Sequence, residues 1–214
     1  MKVFTKRITA LLASAVAILG SLQLAAPTAN AAGRSTILTA AHCVYNAKAG
    51  FATKWMFIPA YDARPVTIDS AGKFCANTLY GCWTGVSMLA PKAFTAQTSF
   101  NATAALNDYA FVRVGLGGKT GRAELDRTVP GMRIAFSALA NNSQTFTFGY
   151  RSASPYTGKD LIYSKGALAR DPYNGSKTYR APSTLNGGSS GGPWISGFNP
   201  LTGTGTVFSV NSYS

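Results

Sequence analysis

Acidic residues are scarce in this 214-residue chain: seven aspartates and glutamates stand against 20 lysines and arginines, a formal net charge of +13. That imbalance favours nonspecific attraction to anionic surfaces such as wall polymers or lipid headgroups. It does not make a nucleic-acid platform, because the charges are scattered and no dense Lys/Arg run interleaves with aromatics. Long apolar runs are lacking too. The longest, over residues 8–19, is too short to span a bilayer comfortably, and no later stretch is long enough. No window longer than a turn or two carries a helical period, and no internal repeat is visible. Histidine occurs once, as His42, so any imidazole chemistry rests on that residue. Cysteine occurs three times, at Cys43, Cys75 and Cys82. An odd count leaves one thiol unmatched wherever disulfides form.

What is present begins with a leader. Lys2, Lys6 and Arg7 precede the apolar run, and Ala29-Asn30-Ala31 supplies small residues at the spacing a signal peptidase needs. Residues 1–31 are therefore expected to be a secretory signal peptide and residues 32–214 a single exported domain without a transmembrane segment. Removing the leader takes away three cations and none of the seven acids, which leaves a charge of +10. Export permits disulfides. Cys75 and Cys82 are the natural pair, since they bracket a short turn-like stretch. Closing so small a loop is worth about 2.5 kcal/mol in a chain-entropy treatment.

The exported part reads as β throughout. Residues 55–58, 86–89, 110–114, 133–136, 145–150, 161–163 and 207–213 are rich in β-branched and aromatic side chains. Clusters of Gly, Pro, Asn and Ser separate them. Many short strands punctuated by turns predict an all-β sandwich or barrel.

Three places could carry chemistry. His42 sits among small residues, Thr39-Ala40-Ala41-His42-Cys43, at the end of an apolar segment. Near the other end, Gly187-Gly188-Ser189-Ser190-Gly191-Gly192-Pro193 runs straight into Trp194-Ile195, which a flexible linker would not do. Glycines on both sides of a serine suit a nucleophile on a tight turn whose backbone N–H groups hold an oxyanion. The same stretch fits the Gly-x-Ser-x-Gly elbow of α/β-hydrolases. Those enzymes place their histidine after the serine, and no His, Asp or Glu follows Ser190. A Ser-His enzyme made from these parts must run in the order His, acid, Ser. Among the seven acids Asp108 stands out, because Asn107-Asp108-Tyr109-Ala110-Phe111-Val112 places it where an apolar strand opens.

Residues 39–43, 108–111 and 188–193, in that order, resemble the three signature blocks of trypsin-like serine proteases, and most closely those of the secreted bacterial members. Phe148-Gly149-Tyr150 and Val210-Asn211-Ser212-Tyr213 add to the likeness. The resemblance implies a double antiparallel β-barrel of the chymotrypsin type with the site between the barrels. It implies a catalytic triad of His42, Asp108 and Ser190, and an oxyanion hole from the N–H groups of Gly188 and Ser190. Thr184, Ser209 and Asn211 are expected at the substrate pocket. The substrate would be a polypeptide, and no metal or organic cofactor is needed.

Two departures bear on mechanism. The residue before the nucleophile is Ser189 rather than Asp, which removes the ion pair that a newly released N-terminal amine makes in animal relatives. The pocket-base position is Thr184, which offers no charge to Arg or Lys. Two further departures bear on the fold. Only residues 32–41 separate the leader from His42, far fewer than relatives carry, so the first barrel is expected to be incomplete. The chain also stops at Ser214, where relatives continue. Cys43, whose usual partner lies on the missing strands, is left single. The competing expectation is a catalytically inactive, truncated protease-fold protein that binds anionic polymers.

Overall fold

The structure is a computed structural model and describes residues 35–62, 73–175 and 177–214; the leader lies outside the described residues. Thirteen short strands dominate among them. The first group contains β1 (Thr36–Thr39), β2 (Tyr45–Asn46), β3 (Gly50–Phe51), β4 (Met56–Phe57), β5 (Trp83–Leu89) and β6 (Ala110–Val114). The second contains β7 (Arg133–Ile134), β8 (Gln144–Gly149), β9 (Ile162–Ala167), β10 (Ala169–Asp171), β11 (Thr178–Arg180), β12 (Pro193–Asn199) and β13 (Thr204–Val210). The α-helices among the described residues are single turns of four or five residues, such as Ala102–Leu106. That is the length the absence of a sustained helical period allows.

Two sheets organise these strands. The first has the order β1-β6-β5-β4 and the second β7-β13-β12-β8-β9, with β2-β3 and β10-β11 as separate pairs. Every pairing is antiparallel except β13 with β7. The result is an all-β fold whose half-barrel sheets match an incomplete double β-barrel.

Strand alternation explains how the two halves share a wall. Successive side chains of a strand point to opposite faces. On β1, Ile37 enters one core while Leu38 enters the other. On its partner β6, Ala110, Val112 and Val114 join the first core and Phe111 packs against the second. The β1-β6 pair is thus apolar on both faces at this point, which is why Ala110-Phe111-Val112 read as a continuous apolar run rather than an alternating one. The first core gathers around Trp83, fully buried, whose indole N–H donates to Ala123 O at 3.0 Å. Gly117 leaves room for that ring, since a Cβ there would stand 2.7 Å from it. The second core joins Met132, Phe148, Ile195, Val207 and Val210.

Cys75 and Cys82 form the expected disulfide, with Cα atoms 5.1 Å apart. Cys43 is half-buried and free. Strands β1, β2, β3, β10, β11 and β12 were not among the segments read as strands: the first five have four residues or fewer, too short for a period to register, and β12 carries Pro193 and Gly197, residues depleted in strands. Among the described residues no helix is long and apolar enough to cross a membrane.

Truncating the indole at the centre of the first core should be costly. Trp83→Ala is expected to destabilise by about 3–5 kcal/mol, read as a lowered midpoint in urea. A shift below ~1 kcal/mol would mean that this core is not the organising one.

Candidate active site

β1 ends at Thr39, and Ala40 and Ala41, both fully buried, lead into a 3-10 turn at Ala41–Cys43. Small side chains are needed here because the chain passes under the glycine-rich loop of the second half. A Cβ on Gly191 would lie 2.2 Å from Thr39 Oγ1, and the φ of Gly191 is +76°. Glycine alone meets both demands.

Asp108 arrives just before the neighbouring strand β6, at the end of the sheet where Thr39 pairs with Ala110. Helix Ala102–Leu106 is capped by Asn101, whose side chain accepts the Ala104 N–H at 2.9 Å. The chain then turns at Asn107 and places Asp108, 4% exposed, just before β6. Its carboxylate collects three donors. The His42 N–H donates to Oδ1 at 2.9 Å, the His42 imidazole Nδ1 lies 2.7 Å from Oδ2, and the Ser212 hydroxyl donates to Oδ2 at 2.5 Å. Burial alone would raise this carboxyl, but the hydrogen bonds from the His42 side chain, Ser212 and the His42 N–H outweigh it and hold Asp108 below the usual carboxylate range. The imidazole moves the opposite way. Its hydrogen bond to Asp108 raises it well above the ordinary 6.5, the neighbouring Cys43 thiol adds to the rise, and burial opposes both.

Ser190 stands exposed on the loop between β11 and β12. Asn211 holds that loop from behind. Its side chain donates to Phe148 O at 2.7 Å and Ser189 O at 2.9 Å and accepts the Trp194 indole N–H at 2.6 Å. Its backbone accepts from Gly191 N–H and donates to Gly192 O, both at 2.8 Å. Gly192 is pressed against β8, since a Cβ there would lie 2.0 Å from Phe148 O. Asn211 is directly followed by Ser212, so the residue that clamps the Ser190 loop adjoins the one that binds Asp108. The Ser190 hydroxyl makes no hydrogen bond to His42 among the described residues. In unliganded sites this bond is commonly long and tightens with substrate.

The backbone donors around Ser190 divide cleanly. Ser189, Gly191 and Gly192 each spend their N–H on a carbonyl. The N–H groups of Gly188 and Ser190 have no partner among the described residues. They are free to bind an anion.

Family membership can be stated at this point. A family model for the trypsin-like peptidase domain matches residues 28–199. The chain belongs to the trypsin-like peptidases. Solved structures agree. The protease Anisep from Arthrobacter nicotinovorans is 32% identical with a TM-score of 0.68, over 86% of this chain and 74% of that one. The thermostable serine protease AL20, from an extremophilic microorganism, is 29% identical with a TM-score of 0.67 over the same shares. A Glu endopeptidase, solved with MPD, is 17% identical with a TM-score of 0.50 over 76% of this chain and 64% of that one, a likeness of fold alone. No curated protein matches the chain.

This peptidase has a cleft of about 830 Å³ lined by Asp108, Ser190, Ser209 and Asn211 among others. Two of the three residues expected at the substrate pocket therefore border it. Asn211 does so with its polar atoms already committed to the loop. Thr184 is not part of that lining, and its hydroxyl pairs with Ser164 Oγ at 3.2 Å. Two residues escaped the sequence reading. Ser212 lay inside a stretch noted for its likeness, but nothing in its type predicts a bond to an acid 104 positions away. Asp171 looked like a turn residue, yet it is buried and accepts hydrogen bonds from the Tyr213 hydroxyl, Thr178 Oγ1 and Tyr173 N–H.

His42 is the only histidine, so its titration can be followed as a single imidazole signal by NMR. A raised pKa means that Asp108 stabilises the folded cation. That stabilisation is complete below 6.5 and is lost as pH rises through the folded midpoint. The midpoint is expected above 6.5 in the wild type and close to it in Asp108→Asn. Hydrolysis should accordingly increase on the alkaline side of neutrality. A wild-type midpoint at or below 6.5 would contradict this geometry.

Proposed function

We propose that this peptidase is exported and cleaves polypeptides through a Ser190-His42-Asp108 triad. The observation that carries the reading is the convergence of His42 and Ser212 on the Asp108 carboxylate, next to a glycine loop with two free N–H donors. Ser190 Oγ attacks the scissile carbonyl while His42 takes its proton as general base. His42 then returns the proton to the leaving amine. Asp108 fixes the imidazole with Nδ1 toward itself and stabilises the cation that forms. The N–H groups of Gly188 and Ser190 bind the developing oxyanion, a contribution of about 2.7–4 kcal/mol per donor in such sites. Water then releases the acyl-enzyme by the same steps in reverse roles. Side chains and backbone supply all the groups these steps use.

The basic stretch, apolar run and Ala29-Asn30-Ala31 support export. The net positive charge would draw the mature protein toward anionic surfaces and acidic polypeptides. The cleft supports a specificity away from Arg and Lys. Its two carboxylates, Asp108 and Asp171, are buried and hydrogen-bonded, while Lys177 and Arg180 also line it.

Steady-state hydrolysis of a panel of peptide anilides tests this. Ser190→Ala should lower kcat by about 10⁶ and Asp108→Asn by about 10⁴, with Arg and Lys the poorest P1 residues. Hydrolysis undiminished in Ser190→Ala would remove Ser190 as the nucleophile, and hydrolysis absent from folded wild type would leave a protease fold used for binding.

A further inference from the structure

We infer that Ser152 is a positioning residue for catalysis: it fixes the Gly187–Gly188 peptide in the one orientation that turns the Gly188 N–H toward the substrate carbonyl. The inference rests on Gly188 being an oxyanion donor, as proposed above. In a trans peptide the C=O and the following N–H point to opposite sides. Fixing the Gly187 carbonyl therefore fixes the direction of the Gly188 donor. Glycine on both sides leaves this peptide without the side-chain sterics that restrict other residues. Turned over, it would present a carbonyl oxygen where negative charge develops, and the donor would become a repulsive group.

The structure holds the peptide from outside the cleft. Ser152 donates twice to Gly187 O, through its backbone N–H at 2.8 Å and its hydroxyl at 2.8 Å. The preceding Arg151 donates from Nε to Asn186 Oδ1 at 3.1 Å, with its guanidinium over the Tyr156 ring, 4.6 Å from the centroid. Residues 151 and 152 thus place three hydrogen bonds on residues 186 and 187. The same segment fits closely around Gly188. Its φ is +90°, and a Cβ there would stand 2.6 Å from Tyr150 O and 2.7 Å from Ser152 Oγ. With Gly187 O doubly bonded on this side, the Gly188 N–H is left facing away from it without a partner among the described residues.

Ser152 is exposed, so removing its hydroxyl opens no core cavity. Ser152→Ala keeps the backbone donor and loses the hydroxyl donor. Its expected effect is a roughly tenfold fall in kcat, the scale of one hydrogen bond read out as a rate, with KM changed by less than about twofold. Affinity for a peptide boronate, which forms the tetrahedral adduct, should weaken by a similar factor, while affinity for the product peptide stays constant. Ser152→Thr, which restores the hydroxyl, should recover kcat to within about threefold. A merely structural role would lower the melting temperature and affect boronate and product alike. The proposal is overturned if Ser152→Ala retains wild-type kcat, if the loss falls on KM, or if threonine fails to rescue in a folded protein. Hydrolysis by wild type that disappears in Ser190→Ala shows the triad reading intact in each of those cases. A folded but inactive wild type would instead remove the triad reading, and this proposal with it.

Discussion

The Asp108 carboxylate is the point on which the arrangement of this site depends. It is buried, it is charged, and its donors come from two distant parts of the chain. His42 brings its backbone N–H and its imidazole from the turn after β1, and Ser212 brings its hydroxyl from the segment after β13. A buried carboxylate without such partners would take up a proton rather than remain charged. The carboxylate therefore ties the first half of the fold to the second. The ordering of the imidazole follows from the same requirement.

From Ser212 the chain of dependence runs one residue back to Asn211 and from there to the glycine loop that carries Ser190. Asn211 saturates its amide on Phe148 O, Ser189 O and the Trp194 indole, while its backbone pairs with Gly191 and Gly192. Asp108 and the Ser190 loop are thus positioned by adjacent residues just after β13. The glycines make the approach sterically feasible: Gly191 passes over Thr39, and Gly192 over the Phe148 carbonyl. Both contacts require the absence of a Cβ. The glycine richness that could be mistaken for a linker is the signature of backbone packed against backbone.

Much of this was legible in the sequence because it depends on residue type. A single histidine, an acid at the mouth of an apolar strand and a serine among glycines restricted the chemistry to one order of parts. The all-β architecture followed from short apolar segments separated by turn residues, and the Cys75–Cys82 pair from the short spacing between them. What stayed hidden depends on long-range register. Ser212, Ser152 and Asp171 are common residue types in unremarkable surroundings, and their roles arise only when β8, β12 and β13 bring distant segments together. Thr184, placed at the pocket by the family resemblance, has its hydroxyl against Ser164 Oγ, a neighbour that residue type alone does not foretell.

The most direct measurement is covalent modification of the protein by a fluorophosphonate, with the adduct located by mass spectrometry. An activated serine is the one feature that a merely protease-shaped protein would lack. The account predicts a single adduct on Ser190, formed faster as pH rises and slowed when Asp108 is replaced by Asn. Failure of the folded protein to react, or an adduct on a different serine, would contradict it.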